Sequence, residues 1–189
     1  KPIRNKVILQ RKVQLENDAF EFTRTVNDPH VIKMVMEIQE LVDFAEKEAE
    51  MIKKSTKHNP GTSQTDLIDK FYDQPFTVSM VASQIQVDIF TLAIDLKDLA
   101  LADTPEDVIE LGETIEFETE DIQDKFIILH EHFSGEDAKV TFVENLLIDW
   151  KPIRDKLIAK RTAQVSVNPD KVTRLEAVPH LEKINNVLY

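Results

Sequence analysis

At 189 residues the chain is long enough for one elongated domain or two small ones, and 42% hydrophobic content suffices for a continuous core without disulfides or metal. It has no cysteine, which excludes thiolate nucleophiles, zinc–thiolate sites and disulfide staples together. Thirty-five acidic against 23 basic residues give a formal charge of −12, whose field repels phosphate backbones and anionic headgroups and makes nucleic acid a poor partner.

No apolar run approaches the roughly 20 residues that cross a bilayer, and the opening Lys1-Pro2-Ile3-Arg4 is not a signal peptide. The chain reads as a soluble piece, processed or excised from something longer. Only three glycines occur, at positions 61, 112 and 135, which disfavours sheets and phosphate-cradling loops. Abundant Leu, Ile, Glu, Lys and Asp in proline-free stretches predict long helices.

Six helical segments are expected. The first runs from about Pro2, a natural first-turn proline, to about Thr25, where Asn27-Asp28-Pro29 supplies a stop and a fresh cap. The second, about 29 to 56, places Val31, Val35, Ile38, Leu41, Val42, Ala45, Ala49 and Ile52 at steps of three and four, an amphipathic stripe. His58-Asn59-Pro60-Gly61-Thr62-Ser63-Gln64 then combines a helix-ending Pro-Gly with small polar residues and marks the main boundary.

A third helix, from about Gln74 to Ala102, has Val78, Val81, Ile85, Leu92 and Leu99 on one face and ends at Asp103-Thr104-Pro105. Thr104 caps the fourth, about 105 to 133, which carries Val108, Leu111, Ile115, Ile122, Phe126 and Leu129. It stops at Ser134-Gly135, where glycine is expected in the left-handed conformation. The fifth begins near Glu136, passes through Phe142, Leu146, Trp150, Ile153 and Leu157 and ends near Thr162. The sixth, about 169 to 188, contains Pro179, which kinks or ends it.

Short connections between segments of similar length favour antiparallel packing. The expected class is all-α: an antiparallel up-down four-helix bundle with an additional N-terminal helix pair. The corresponding organisation is a helix pair at 1–57, a linker at 58–68 and the bundle at 69–189.

Lys1-Pro2-Ile3-Arg4-Asn5-Lys6-Val7-Ile8 recurs as Lys151-Pro152-Ile153-Arg154-Asp155-Lys156-Leu157-Ile158, which points to an internally repeated helix pair. Three stretches resemble the four-helix-bundle ligand-binding domains of bacterial chemoreceptors and related sensor kinases and diguanylate cyclases. They are Gln74-Pro75-Phe76-Thr77-Val78-Ser79, Asp95-Leu96-Lys97-Asp98-Leu99-Ala100-Leu101-Ala102, and Phe133-Ser134-Gly135-Glu136 followed by Asp149-Trp150-Lys151-Pro152-Ile153-Arg154-Asp155. Residues from about 70 to 189 look like one complete copy, and residues 1 to about 55 like helices three and four of another. The resemblance implies a domain held outside the cytoplasm, in the periplasm, between two membrane helices absent from this chain, relaying ligand binding to an output module. Two stacked bundles sharing long helices, as in helical bimodular sensors, are the second architecture.

His130 and His132 are two apart, about 200° around a helix, so they do not chelate one ion on the same face. The acidic stretch from Glu113 to Asp124 lacks a calcium loop and reads as a solvated face. No metal, cofactor or catalytic residue is assigned, because no catalytic triad, phosphate loop or metal signature occurs.

Asp88 and Asp95 lie seven apart beside the Ile85, Leu92 and Leu99 stripe, where a carboxylate is costly unless paired. The plain reading pairs them with Lys97, Arg154 or solvent; the functional one places them in a ligand cavity. Trp150 and Arg154 are one turn apart, so the guanidinium lies over the indole or crosses to an acidic neighbour. Fold maintenance is their first reading, and with Asp88 and Asp95 they complete the candidate ligand-binding set. Pro152 in mid-helix removes one hydrogen bond and offers a site of motion.

The expected function is that of an extracytoplasmic sensory domain, not an enzyme, that binds a small molecule or a partner protein. A non-catalytic helical adaptor is the alternative. Because residues 1 to 55 duplicate a helix pair, one apolar stripe is left over, and a homodimer or a two-layer rod is expected to cover it.

Overall fold

The computed structural model describes residues 17–58 and 64–165, together with Gln10, Val13 and Gln14 ahead of them. The chain is all-α, with no strand among the described residues. Its helices are α1 (Asp28–His58), α2 (Gln64–Phe71), α3 (Thr77–Leu101), α4 (Pro105–His132) and α5 (Asp137–Val165). Two π-helical turns, Thr23–Asn27 before α1 and Tyr72–Phe76 between α2 and α3, keep these segments continuous. Among the described residues these make four long helical rods, 17–58, 64–101, α4 and α5, in which the break expected between the first and second segments is absent. The sixth expected segment, 169–188, and the first copy of the repeat, 1–8, lie outside the described residues.

The expected break at Asn27-Asp28-Pro29 does not occur. A proline inside an α-helix lacks the N–H for its i−4 bond and collides with the carbonyl of that residue, four positions back. Here the preceding turn is widened to π geometry, the Asp28 N–H bonds the Thr23 carbonyl, and the helix passes through Pro29. Hydroxyls serve carbonyls around this turn: Thr23 Oγ1 donates to the Ala19 carbonyl at 3.0 Å and Thr25 Oγ1 to Glu21 at 2.7 Å. Pro75 is accommodated in the second π turn in the same manner, with Thr77 Oγ1 donating to the Tyr72 carbonyl at 2.7 Å. The segment expected as linker is helical from Gln64 onward.

Other boundaries follow their local chemistry. Thr104 stands in extended backbone and its Oγ1 accepts from the Asp107 N–H at 3.1 Å, with Pro105 in the first turn and Glu106 and Asp107 complementing the helix dipole. Gly135 does not take the left-handed conformation, since no described glycine has a positive φ. It is small for another reason. A Cβ there would lie 2.7 Å from the Phe133 ring and 3.0 Å from Phe44, whose rings pack with centroids 4.9 Å apart. The turn between α4 and α5 is thereby closed against α1.

One core runs through the four rods. Met34, Ile38 and Leu41 of α1 belong to the same buried cluster as Ile85 and Leu92 of α3, Phe126 of α4 and Trp150 of α5. Thus the helix expected to form part of a separate N-terminal pair shares its interior with the helices expected at 69–189. Neighbouring rods in contact are α1 with α3, α3 with α4, α4 with α5, and α5 with α1, and α3 also touches α5 across the bundle. On α5 the buried stripe is Val140, Val143, Leu146, Leu147, Trp150, Arg154, Leu157 and Arg161, while Phe142, expected inside, is exposed. Burying α3 and α1 faces of this size at about 25 cal/mol per Å² is what holds rods that propensity alone would leave marginal.

Apolar residues occupy both faces of α3. By length and composition the stretch Ile68–Leu101 is therefore long and apolar enough to cross a membrane, a property hidden by the lack of an uninterrupted apolar run. Of its most apolar window, 39% is buried inside the protein.

Candidate functional site

The interface of α3 and α4 carries a layer of half-buried ionisable groups. Asp88 and Asp95, two turns apart on α3, face α4 because α3 already commits its Ile85, Leu92 and Leu99 side to the core. Asp88 accepts from Lys125 Nζ at 2.8 Å and from Gln84 Nε2 at 2.8 Å. Lys125 also pairs with Asp121 one turn away on its own helix. Burial alone would lower the Lys125 pKa, but the hydrogen bonds to Asp121 and Asp88 outweigh it and hold the ammonium charged beyond its ordinary range.

Asp95 meets Glu118. Burial raises the Glu118 pKa, the charge of Asp95 and a hydrogen bond to it add to this, and Asp88 and Asp121 add further, so the carboxyl titrates at about 7. Two neighbouring carboxyl groups do not both ionise readily, which favours a proton on Glu118. Glu118 Oε2 is buried without a hydrogen-bond partner among the described residues. The layer holds one lysine against four carboxyl groups, those of Asp88, Asp95, Asp121 and Glu118. Excess negative charge of this kind is relieved by a proton or a cation.

Trp150 and Arg154 are both 1% exposed, on the core face of α5. The indole N–H donates to Asn27 Oδ1 at 2.6 Å, which ties α5 to the π turn ahead of α1. Asn27 Nδ2 is buried without a partner among the described residues. Arg154 does not lie over the indole. Its guanidinium crosses to α4, donating to Thr119 Oγ1 and to Glu116 Oε2 at 2.5 Å, and it touches Asp155 at 3.4 Å. The Lys151 hydrogen bond lowers the Glu116 pKa, against the effect of burial, and the Arg154 charge lowers it further.

The four sequence candidates therefore fall into two places. Asp88 and Asp95 belong to the α3–α4 layer, whereas Trp150 and Arg154 serve α5 and have different partners. Lys97, considered as a partner for the aspartates, pairs instead with Asp28 at 3.4 Å. Glu118, which completes the layer with Lys125, was hidden in the acidic stretch from Glu113 to Asp124, whose local pattern describes a solvated face, and Lys125 follows directly after it. Arg161 was also missed: 3% exposed, it donates from Nε to the Ala102 carbonyl at 2.9 Å and from Nη2 to the same oxygen. It thus satisfies an orphan carbonyl at the C-terminal end of α3. Its signal is an arginine seven residues beyond Arg154 on the Trp150–Leu157 stripe.

The histidines have separate partners. His130 bridges Asp137 at 2.5 Å and Glu144 at 3.2 Å, while His132 Nδ1 lies 2.6 Å from the Asp73 carbonyl oxygen. Burial works against a charge on His130, but its bonds to Asp137 and Glu144 prevail and its pKa is raised. Among the described residues no group of three or more His, Asp or Glu side chains is arranged to hold a metal ion. A half-open groove of about 230 Å³ between α1 and α5, bordered by Glu37, Leu41, Lys139 and Phe142, is smaller than most small-molecule pockets and includes none of the four candidates.

Comparison of the chain with protein-family models, with curated proteins and with solved structures gives no match.

Proposed function

We propose that this chain is an extracytoplasmic sensory domain of a bacterial signalling receptor, an antiparallel up-down four-helix bundle that binds a ligand and relays it by helix movement. The bundle reading is supported by the registers between rods. Asp28 meets Lys97 while Val35 meets Gln86, Asp88 meets Lys125 while Asp95 meets Glu118, and Asn27 meets Trp150 while Glu40 meets Lys139. Each pair of sequences runs in opposite directions.

The observation that carries the sensory reading is the polar layer between α3 and α4. A fold-maintaining interface is cheapest when apolar, and half-buried carboxylates with one titrating near 7 are retained where a charge is to be received. The layer favours cationic ligands, amines before organic acids. The resemblance of the Trp150-Lys151-Pro152-Ile153-Arg154 string to chemoreceptor and sensor-kinase domains supports the same role. Placement outside the cytoplasm and attachment through flanking membrane helices come from that resemblance. No enzymatic activity is proposed.

A thermal-shift panel of amines, amino acids and organic acids tests the reading. Stabilisation by an amine, lost in Asp95→Asn, is expected. Equal shifts in parent and variant would remove the polar layer from the ligand site. A full-length gene without membrane helices and without a downstream signalling module would exclude the receptor.

The second reading is a non-catalytic helical adaptor. The observation favouring it is the exposed apolar face of α3.

A further inference from the structure

His130 stands in the last turn of α4, and α5 engages both nitrogens of its ring. Nδ1 lies 2.5 Å from Asp137 Oδ1 and Nε2 lies 3.2 Å from Glu144 Oε2. An ionised carboxylate only accepts and a neutral imidazole carries a single N–H, so the two bonds coexist only on the imidazolium. The negative end of the α4 dipole favours the same charge. Burial opposes it, whereas Asp137 and Glu144 favour it, and no charged group of α1, α2 or α3 among the described residues contributes. With its side chain 29% exposed, the ring exchanges protons with solvent while the bundle stays folded.

The two anchors define what the ring holds. Asp137 opens α5, and Glu144 follows two turns later on the same face. Between them Ala138, Lys139, Phe142 and Val143 form the α5 wall of the groove shared with α1. On the α1 side the polar ties of that wall are long: Lys139 pairs with Glu40 at 3.8 Å, and Lys33 Nζ lies 5.2 Å from the centre of the Phe142 ring. Val140 and Val143, both buried, keep these turns on the core whatever the state of the ring.

We propose that His130 is a protonation-controlled latch on the first two turns of α5: the charged ring fixes them, with the groove wall they form, to the end of α4, and loss of its proton frees one of the two anchors. The neutral ring keeps one N–H and turns a lone pair toward the other carboxylate, which repels it. With the His130 pKa raised above its ordinary 6.5, the latch is closed at and below that value and opens as pH rises through the folded-state one. It does not depend on the sensory role.

Native-state hydrogen exchange on the full chain tests this. In the parent, protection factors of amides 141–147, taken relative to amides 31–38 of α1, are expected to fall about tenfold between about pH 6 and about pH 9, the effect of one lost charge-assisted hydrogen bond. His130→Gln, which never carries the charge, should show the low ratio at every pH. His130→Arg, which keeps the charge and has donors for both carboxylates, should hold the high ratio throughout. The α1 reference and the two variants separate this from the titration of Glu118, which lies between α3 and α4. A parent ratio that stays constant over the range overturns the proposal, as does a His130→Gln or His130→Arg profile that follows the parent's. If either variant fails to fold, the imidazole proton resonances of the parent decide: the fall in protection must share the midpoint of the His130 titration, and a different midpoint overturns the latch.

Discussion

Replacing Glu118 by Gln keeps the shape and a donor toward Asp95 but removes the charge that the α3–α4 layer resists. Displacement of the Glu118 pKa from its ordinary 4.5 to about 7 is equivalent to about 3 kcal/mol between the two protonation states. Glu118 is only partly buried, and solvent screening reduces this to about 1 to 2 kcal/mol. The sign follows from proton uptake. Between the unfolded and folded values the native state holds a proton that the unfolded chain has released, so stability falls as pH rises through that interval. Below it both states are protonated and the penalty vanishes.

Glu118→Gln should therefore match the parent near pH 4 and exceed it near pH 8 by about 1 to 2 kcal/mol, or about 3 to 6 °C in Tm for a chain of this length. Thermal melts followed by circular dichroism at several pH values measure this. His130 contributes a slope of the same sign: its raised pKa gives stability that is complete below its ordinary 6.5 and lost as pH rises through the folded value. Comparison at each pH cancels that contribution. A constant Tm difference across the range, or a variant less stable than the parent near pH 8, would refute the shared proton between Glu118 and Asp95.

Trp150→Ala should cost about 3 to 5 kcal/mol, the range for a large buried aromatic, and Trp150→Phe about 1 to 2 kcal/mol because Asn27 Oδ1 then loses its donor; denaturant titrations monitored by circular dichroism check both. Arg161→Met, which leaves the Ala102 carbonyl unpaired, should lower stability by about 1 to 3 kcal/mol in the same titration, and an unchanged midpoint would mean that water replaces the guanidinium. Gly135→Ala should cost about 1 to 3 kcal/mol by displacing the Phe133 ring, with partial recovery in the double variant Gly135→Ala, Phe133→Leu. Thr104→Ala should cost about 1 kcal/mol through loss of the cap on α4 and leave the pH dependence unchanged.

Where the bonds that define a feature are local, the sequence determined it. Thr104-Pro105 names the start of α4 because the hydroxyl, the missing N–H and the first-turn carboxylates act within one turn. The α3 stripe of Val78, Val81, Ile85, Leu92 and Leu99 names its buried face, because only a 3.6-residue period brings those side chains together. Scarce glycine and long proline-free stretches sufficed for the all-helical class.

Features bonded across the fold were decided by tertiary structure. Asn27-Asp28-Pro29 reads as a stop when only its neighbours are counted. The helix continues because a π turn admits the proline and because Asn27 is buried beneath Trp150, 123 positions away. Gly135 reads as a left-handed terminator, yet its smallness answers to Phe44 on another rod. Asp88 and Asp95 were visible as misplaced carboxylates, but their partners depend on which turn of α4 lies opposite, and a one-turn change of register would exchange Lys125 for another residue. Periodicity fixes a helix face and leaves the register between helices open. Pairing, titration and the apolar face left exposed on α3 all depend on that register.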